Sequence, residues 1–123
     1  MSLRHHTLVA WQRADDLFID LHQLTLKSFP SHERYELGSQ LRRSAFSVPA
    51  NIVEGCAREH PKERLQFLNT ARASLAEVGY CLHVARRLGY ITESDVEARE
   101  LAIRRTSAAI GGFMRAIREG RVR

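Results

Sequence analysis

Residues 40–58 read QLRRSAFSVPANIVEGCAR, and two patterns run through them at once. At about 100° per residue, Gln40, Arg43, Ser47, Asn51, Glu54 and Arg58 fall on one side of a helix. Leu37, Leu41, Ala45, Val48, Ile52 and Cys56 form a neighbouring apolar stripe. The helix can therefore bury one side and present an ordered polar ladder beside it, a layout that suits an assembly surface better than an active site. The ladder has three readings: a solvated face, a buried or half-buried network between helices or subunits, and a catalytic site. In the second, Arg43 or Arg58 pairs with Glu54 or Glu77. The third needs a second positioned acid or nucleophile, which the sequence does not place. Pro49 lies inside the same helix, where a missing N–H and a ring clash cost about 3 kcal/mol unless a kink is accommodated. The second helix is thus expected to be kinked, with Ser47 and Asn51 flanking the proline and able to take up freed backbone groups.

Outward from this stretch, the punctuation divides the chain into four helical segments. The first is expected at about 8–28, with Ala10, Ala14, Leu17, Leu21 and Leu24 on one stripe, ended by Pro30. Ser31 offers a cap, with Glu33 in the first turn, for a second helix at about 31–58. Pro61 suits the first position of a third helix at about 61–88, which repeats Leu68, Ala71, Leu75, Val78, Leu82 and Ala85 before Gly89. That alternation of threes and fours is a bundle seam. Thr92 and Asp95 predict a capping box for a fourth helix at about 93–119, with Val96, Ile103, Ile110, Phe113 and Ile117 facing inward until Gly120. Short connections make neighbours antiparallel, so the expected fold is all-α, an antiparallel up-down-up-down four-helix bundle. Gly111 and Gly112, beside Ala108 and Ala109, cost helix stability, and their small size predicts close approach of another helix, from the same bundle or from a neighbouring subunit.

The central stretch, read as Gln40-x-Arg42-Arg43 followed by Ser47-x-Pro49-x-Asn51-Ile52-x-Glu54-Gly55, resembles the signature of the four-helix bundle proteins encoded in intervening sequences of 23S ribosomal RNA genes. The likeness begins at Val9-x-Trp11-Gln12-x-Ala14-x-x-Leu17, passes through Phe29-Pro30, and returns in Phe67-Leu68-x-x-Ala71 and Ser74-Leu75-x-Glu77. It covers about residues 8–90. Val53, Ala73 and Gly79 depart from the residues usual at those places. The resemblance implies a cytosolic bundle that assembles into a homopentameric ring and has no established enzymatic activity. It also implies a relation to accessory subunits of diversity-generating retroelements, where a basic pentamer engages nucleic acid and a reverse transcriptase.

Read without the family, 123 residues make one domain, 1–123, with a single core. Nineteen Lys and Arg against fourteen Asp and Glu give +5, and seventeen of the nineteen cations are Arg, which favours bidentate contact with carboxylate or phosphate. Cys56 and Cys81 fit no metal or redox spacing and read as reduced thiols of a cytoplasmic protein. The start MSLRHHTLVAW lacks an apolar core before a cleavage site, and no run approaches a membrane span. No Glu-x-x-His occurs, and the six histidines form no i,i+4 pair, His5 and His6 lying in an N-terminus expected to fray. No metal, no cofactor and no catalytic residues are expected, and the chain reads as not an enzyme.

The cations carry the remaining functional signal. Arg104, Arg115 and Arg118 project within about 60° of one another on the last helix. From Arg99 onward seven Arg, including Arg121 and Arg123, face only Glu100 and Glu119, and Arg42, Arg86 and Arg87 are further exposed candidates. Repeated around a ring, such residues would hold RNA or DNA through phosphate contacts, and the scarcity of aromatics favours backbone contact over base stacking. The leading expectation is therefore a non-enzymatic homo-oligomeric accessory module that binds structured RNA or DNA. The alternative is a scaffold whose partners are itself and another protein.

Overall fold

The computed structural model describes residues 4–122. After a 3-10 turn at Arg4–Thr7 come four helices: α1, Val9–Ser28; α2, Leu37–Ala57; α3, Pro61–Arg87; and α4, Glu93–Arg118. Each packs on its neighbours in the chain, and α1 closes the ring against α4, so the diagonal pairs stay apart. Contacts run in opposite residue order along each seam. Ser44 meets Glu77 and Ser47 meets Ser74 across α2 and α3, while Arg13 reaches Arg105 and Asp20 meets Arg99 across α1 and α4. The expected stripes fill the centre, with Leu21, Leu41, Val48, Ile52, Leu68, Val78, Leu82 and Ile110 fully buried.

The helix ends follow from local chemistry. Phe29 is pushed to extended backbone by the following Pro30, which stops α1. Pro61 occupies the first turn of α3. Gly89 and Gly120 adopt φ of +82° and +70°. Each closes its helix with paired reverse bonds, Tyr90 to Ala85 and Gly89 to Arg86 at α3, Arg121 to Ala116 and Gly120 to Ile117 at α4. The capping box at Thr92 and Asp95 is present in both directions, and the Thr92 backbone N–H holds the Asp95 carboxyl below its ordinary range.

The start of α2 differs from the sequence expectation. Ser31–Glu33 form a 3-10 turn, Ser31 supplies no side-chain cap, and α2 begins at Leu37. The capping acceptor is Glu33, whose carboxylate takes the Leu37 N–H at 3.2 Å and the Tyr90 hydroxyl at 2.6 Å. A Cβ on Gly38 would stand 2.8 Å from the Glu33 carbonyl, so the turn can fold this closely over α2 only above a glycine. The N-terminus also departs from expectation, since His5 is buried with its ring edge on Trp11. Pro49 is buried within a helix that continues through it. Asn51 donates to the Ser47 carbonyl at 2.8 Å, not to the carbonyl of Ala45 that Pro49 leaves without its usual donor.

Candidate functional site

The ladder divides into an inner and an outer part. Its middle rungs are half-buried and tie α2 to α3: Asn51 Nδ2 donates to Ser47 Oγ at 2.9 Å, and Ser74 Oγ of α3 donates to the same oxygen at 2.8 Å. Gln40, Arg43, Glu54 and Arg58 are exposed at the two ends. Glu54 near the end of α2 and Arg58 just past it pair at 3.2 Å, and the Arg58 guanidinium lies 4.9 Å from the centre of the Phe67 ring. With both charged groups about half exposed, that pair adds little stability.

The residue that completes the α2–α3 seam is Ser44, which the ladder pattern omits. It is buried, and its hydroxyl bonds the Glu77 carboxylate and lies 3.0 Å from the Gln40 carbonyl. Of the pairings of Arg43 or Arg58 with Glu54 or Glu77, Arg58 with Glu54 is therefore the one that forms, and Glu77 meets a hydroxyl instead. Ser44 sits between polar ladder and apolar stripe, and no spacing rule connects it to a residue 33 positions away. Cys81 is buried nearby, and burial, aided by the Glu77 charge, pushes its thiol upward, away from the reactive thiolate. Arg64, also absent from the sequence candidates, is buried with its guanidinium 5.8 Å from the Phe113 ring centre.

The cations separate into used and unused groups. Arg42 is half-buried, contrary to the exposure expected of it. It donates to Thr25 Oγ1 at 2.9 Å and to the Arg34 carbonyl at 2.7 Å, stapling the end of α1 and the following turn to α2. Arg86 pairs with Glu93 at 3.0 Å. Arg99 clamps α4 to α1 through two 3.0 Å bonds to the Asp20 carboxylate, with Asp95 at 3.3 Å. Arg87, Arg104, Arg115 and Arg118 are exposed, and among the described residues none of the four has a carboxylate within ion-pair distance. Arg123 lies outside the described residues.

Arg115 and Arg118 do not stand alone. With Arg72 of α3 and Ser107, Ala108, Gly111 and Gly112 of α4 they line an open groove of about 650 Å³ between the two helices. Arg72 reaches across the seam, its Nη1 3.9 Å from Met114 Sδ. Sequence reasoning missed Arg72 because it belongs to another helix. Among the described residues Gly111 and Gly112 have no close neighbour from another helix, since a Cβ at either meets nothing within 4 Å. The expectation of close packing there from within the bundle therefore fails. Among the described residues no three His, Cys, Asp or Glu side chains gather to hold a metal, and no helix is long and apolar enough to cross a membrane.

The order of the helices, the signature along α2 and its pairing with α3 now stand beside a family model for 23S rRNA-intervening sequence proteins that matches residues 6–112. The chain belongs to this family. Among solved structures it is similar to a protein of unknown function from the S23 ribosomal protein family of Bacteroides thetaiotaomicron. That likeness has a TM-score of 0.75 at 19% identity and covers 86% of this chain and 98% of the other, which supports the fold alone. No curated protein matches the chain.

Proposed function

We propose that this member of the 23S rRNA-intervening sequence family is a non-enzymatic, self-associating accessory module that holds structured RNA or DNA through arginine–phosphate contacts. The observation that carries the reading is the cluster of Arg115, Arg118 and Arg72, which converges on one groove without a carboxylate in its lining. Elsewhere in the protein, Arg58, Arg86, Arg99 and Arg121 are neutralised by acidic neighbours. Cations left unpaired on a basic chain favour a polyanionic partner. Arg104, exposed on the same helix, extends the patch.

Self-association is supported by apolar area left uncovered on the outer faces of α1 and α2, where Ile19, Leu26 and Phe46 are about half exposed. A second copy of the chain is the partner we assign to that area, and the ring of five is the assembly that the resemblance implies. Repetition around such a ring would multiply weak phosphate contacts. The chain is assigned to the cytoplasm, where the buried thiols Cys56 and Cys81 stay reduced.

The test is fluorescence anisotropy of a labelled structured RNA and of a DNA duplex, at low and near-physiological salt, with particle mass measured in the same buffers. Binding should fall steeply with salt, and the triple reversal of Arg104, Arg115 and Arg118 to Glu should weaken it without dissolving the oligomer. Unchanged binding by the triple variant, or a monomeric wild-type particle, would overturn the corresponding half of the proposal.

A further inference from the structure

The groove between α3 and α4 has a shape as well as a charge. Arg115 and Arg118, three residues apart, stand about 4.5 Å apart along the axis of α4, and Arg72 faces them from α3. Ser107 adds a hydroxyl to the lining. The lining includes Gly111 and Gly112, and glycine within a helix weakens it. A Cβ at either would meet nothing within 4 Å, so no packing among the described residues requires these glycines. Both lie in the groove lining with Arg72, Arg115 and Arg118, where a larger side chain would take up part of the recess.

A charged patch for a duplex needs no recess. A DNA duplex is stiff over about 50 nm and cannot fold its backbone into a local recess of about 650 Å³. A single strand is flexible and can lay its sugar–phosphate backbone along it. The lining holds no aromatic side chain on which a base could stack.

We infer that the α3–α4 groove seats the backbone of a single-stranded nucleic-acid segment, with Arg72, Arg115 and Arg118 on its phosphates and the bases turned to solvent. The inference rests on the nucleic-acid reading above and narrows it to unpaired stretches, such as the loops of a structured RNA, bound without regard to base identity.

Anisotropy of fluorescein-labelled oligothymidylate, competed with a paired DNA duplex of equal length, tests it. Neutralising three phosphates per chain gives a plot of log affinity against log salt with slope about −2, at roughly 0.7 per single-strand phosphate. Arg72→Gln should make that slope shallower by about 0.7. Gly111→Leu places a bulky side chain in the lining without changing charge and should weaken binding and flatten the slope. Gly79→Leu, at an equally open glycine outside the groove, should leave both unchanged. Circular dichroism should show both leucine variants helical. If Gly111→Leu and Arg72→Gln bind as the wild type does, or the duplex competes as well as the single strand, the groove is not the seat, while a nucleic-acid role on the outer surface survives. If the wild-type chain binds neither of these ligands nor the structured RNA, both readings fall.

Discussion

The seam between α2 and α3 and the seam between α3 and α4 use their polar residues in opposite ways. Along α2–α3 the hydroxyls and amides satisfy one another: Ser44 with Glu77, Ser74 with Ser47, Asn51 with Ser47. The helices approach so closely that a Cβ on Gly55 would lie 3.3 Å from the Arg64 carbonyl and 3.4 Å from Phe67 Cβ. Along the part of α3–α4 that holds the groove, the arginines have no acid in the lining and a Cβ on either glycine would meet nothing within 4 Å. The middle of the most recognisable stretch of the sequence is therefore spent on holding α2 to α3. Chemistry available to a partner lies where residues are left unspent, in a segment that no signature marks.

The largest effect that would break this comparison comes from the glycines. Gly55→Leu forces a side chain against α3 backbone and should cost about 3 kcal/mol, at the upper end of overpacking penalties. Gly111→Ala meets open space and should instead stabilise the fold by about 1 kcal/mol, the difference in helix propensity. Chemical denaturation of the two variants checks the pair. Equal signs would mean that the two seams do not differ in closeness as described.

A smaller effect distinguishes the partners inside the closed seam. Ser44 is 4% exposed and Glu77 is exposed, so their shared bond is asymmetric. Ser44→Ala removes a buried hydroxyl and its bonds and should cost about 1 kcal/mol. Glu77→Ala leaves Ser44 its acceptor at Gln40 and should cost less. Neither substitution touches the arginine groove, so oligonucleotide affinity should stay at the wild-type value in both. A larger loss for Glu77→Ala would show that the carboxylate, not the hydroxyl, organises the seam.

Much of this architecture was legible because its causes are local. Pro30, Pro61, the Thr92–Asp95 box and Gly89 each act within a turn of their own helix end, and the apolar stripes needed only periodicity. Legibility failed where the deciding partner is distant. Glu33 replaces Ser31 at the head of α2 because Tyr90, 57 residues away, holds its carboxylate in place. Arg42 reads as a free surface cation until Thr25 and Arg34 are brought beside it. The groove escaped for the same reason: its α4 arginines were visible as a helical stripe, while Arg72 joins them only through the packing of α3.

The Glu33–Tyr90 bond offers the finest test of that distinction between local and distant causes, through pH. The Tyr90 hydroxyl and the Leu37 N–H together hold the Glu33 carboxyl below its ordinary value, and the carboxylate in turn holds the Tyr90 phenol above its own. A depressed carboxyl favours the fold above its unfolded pKa of about 4.5, and that contribution is lost as pH falls through the lower folded value. A raised phenol favours the fold below about pH 10, and its share is lost as pH rises through the higher folded value. Stability measured against pH should therefore weaken slightly at both extremes, and Tyr90→Phe should remove the alkaline limb while retaining part of the acid one through Leu37. If Tyr90→Phe left both limbs unchanged, the head of α2 would be fixed by its own turn alone, and the distant tyrosine would have no part in placing the helix.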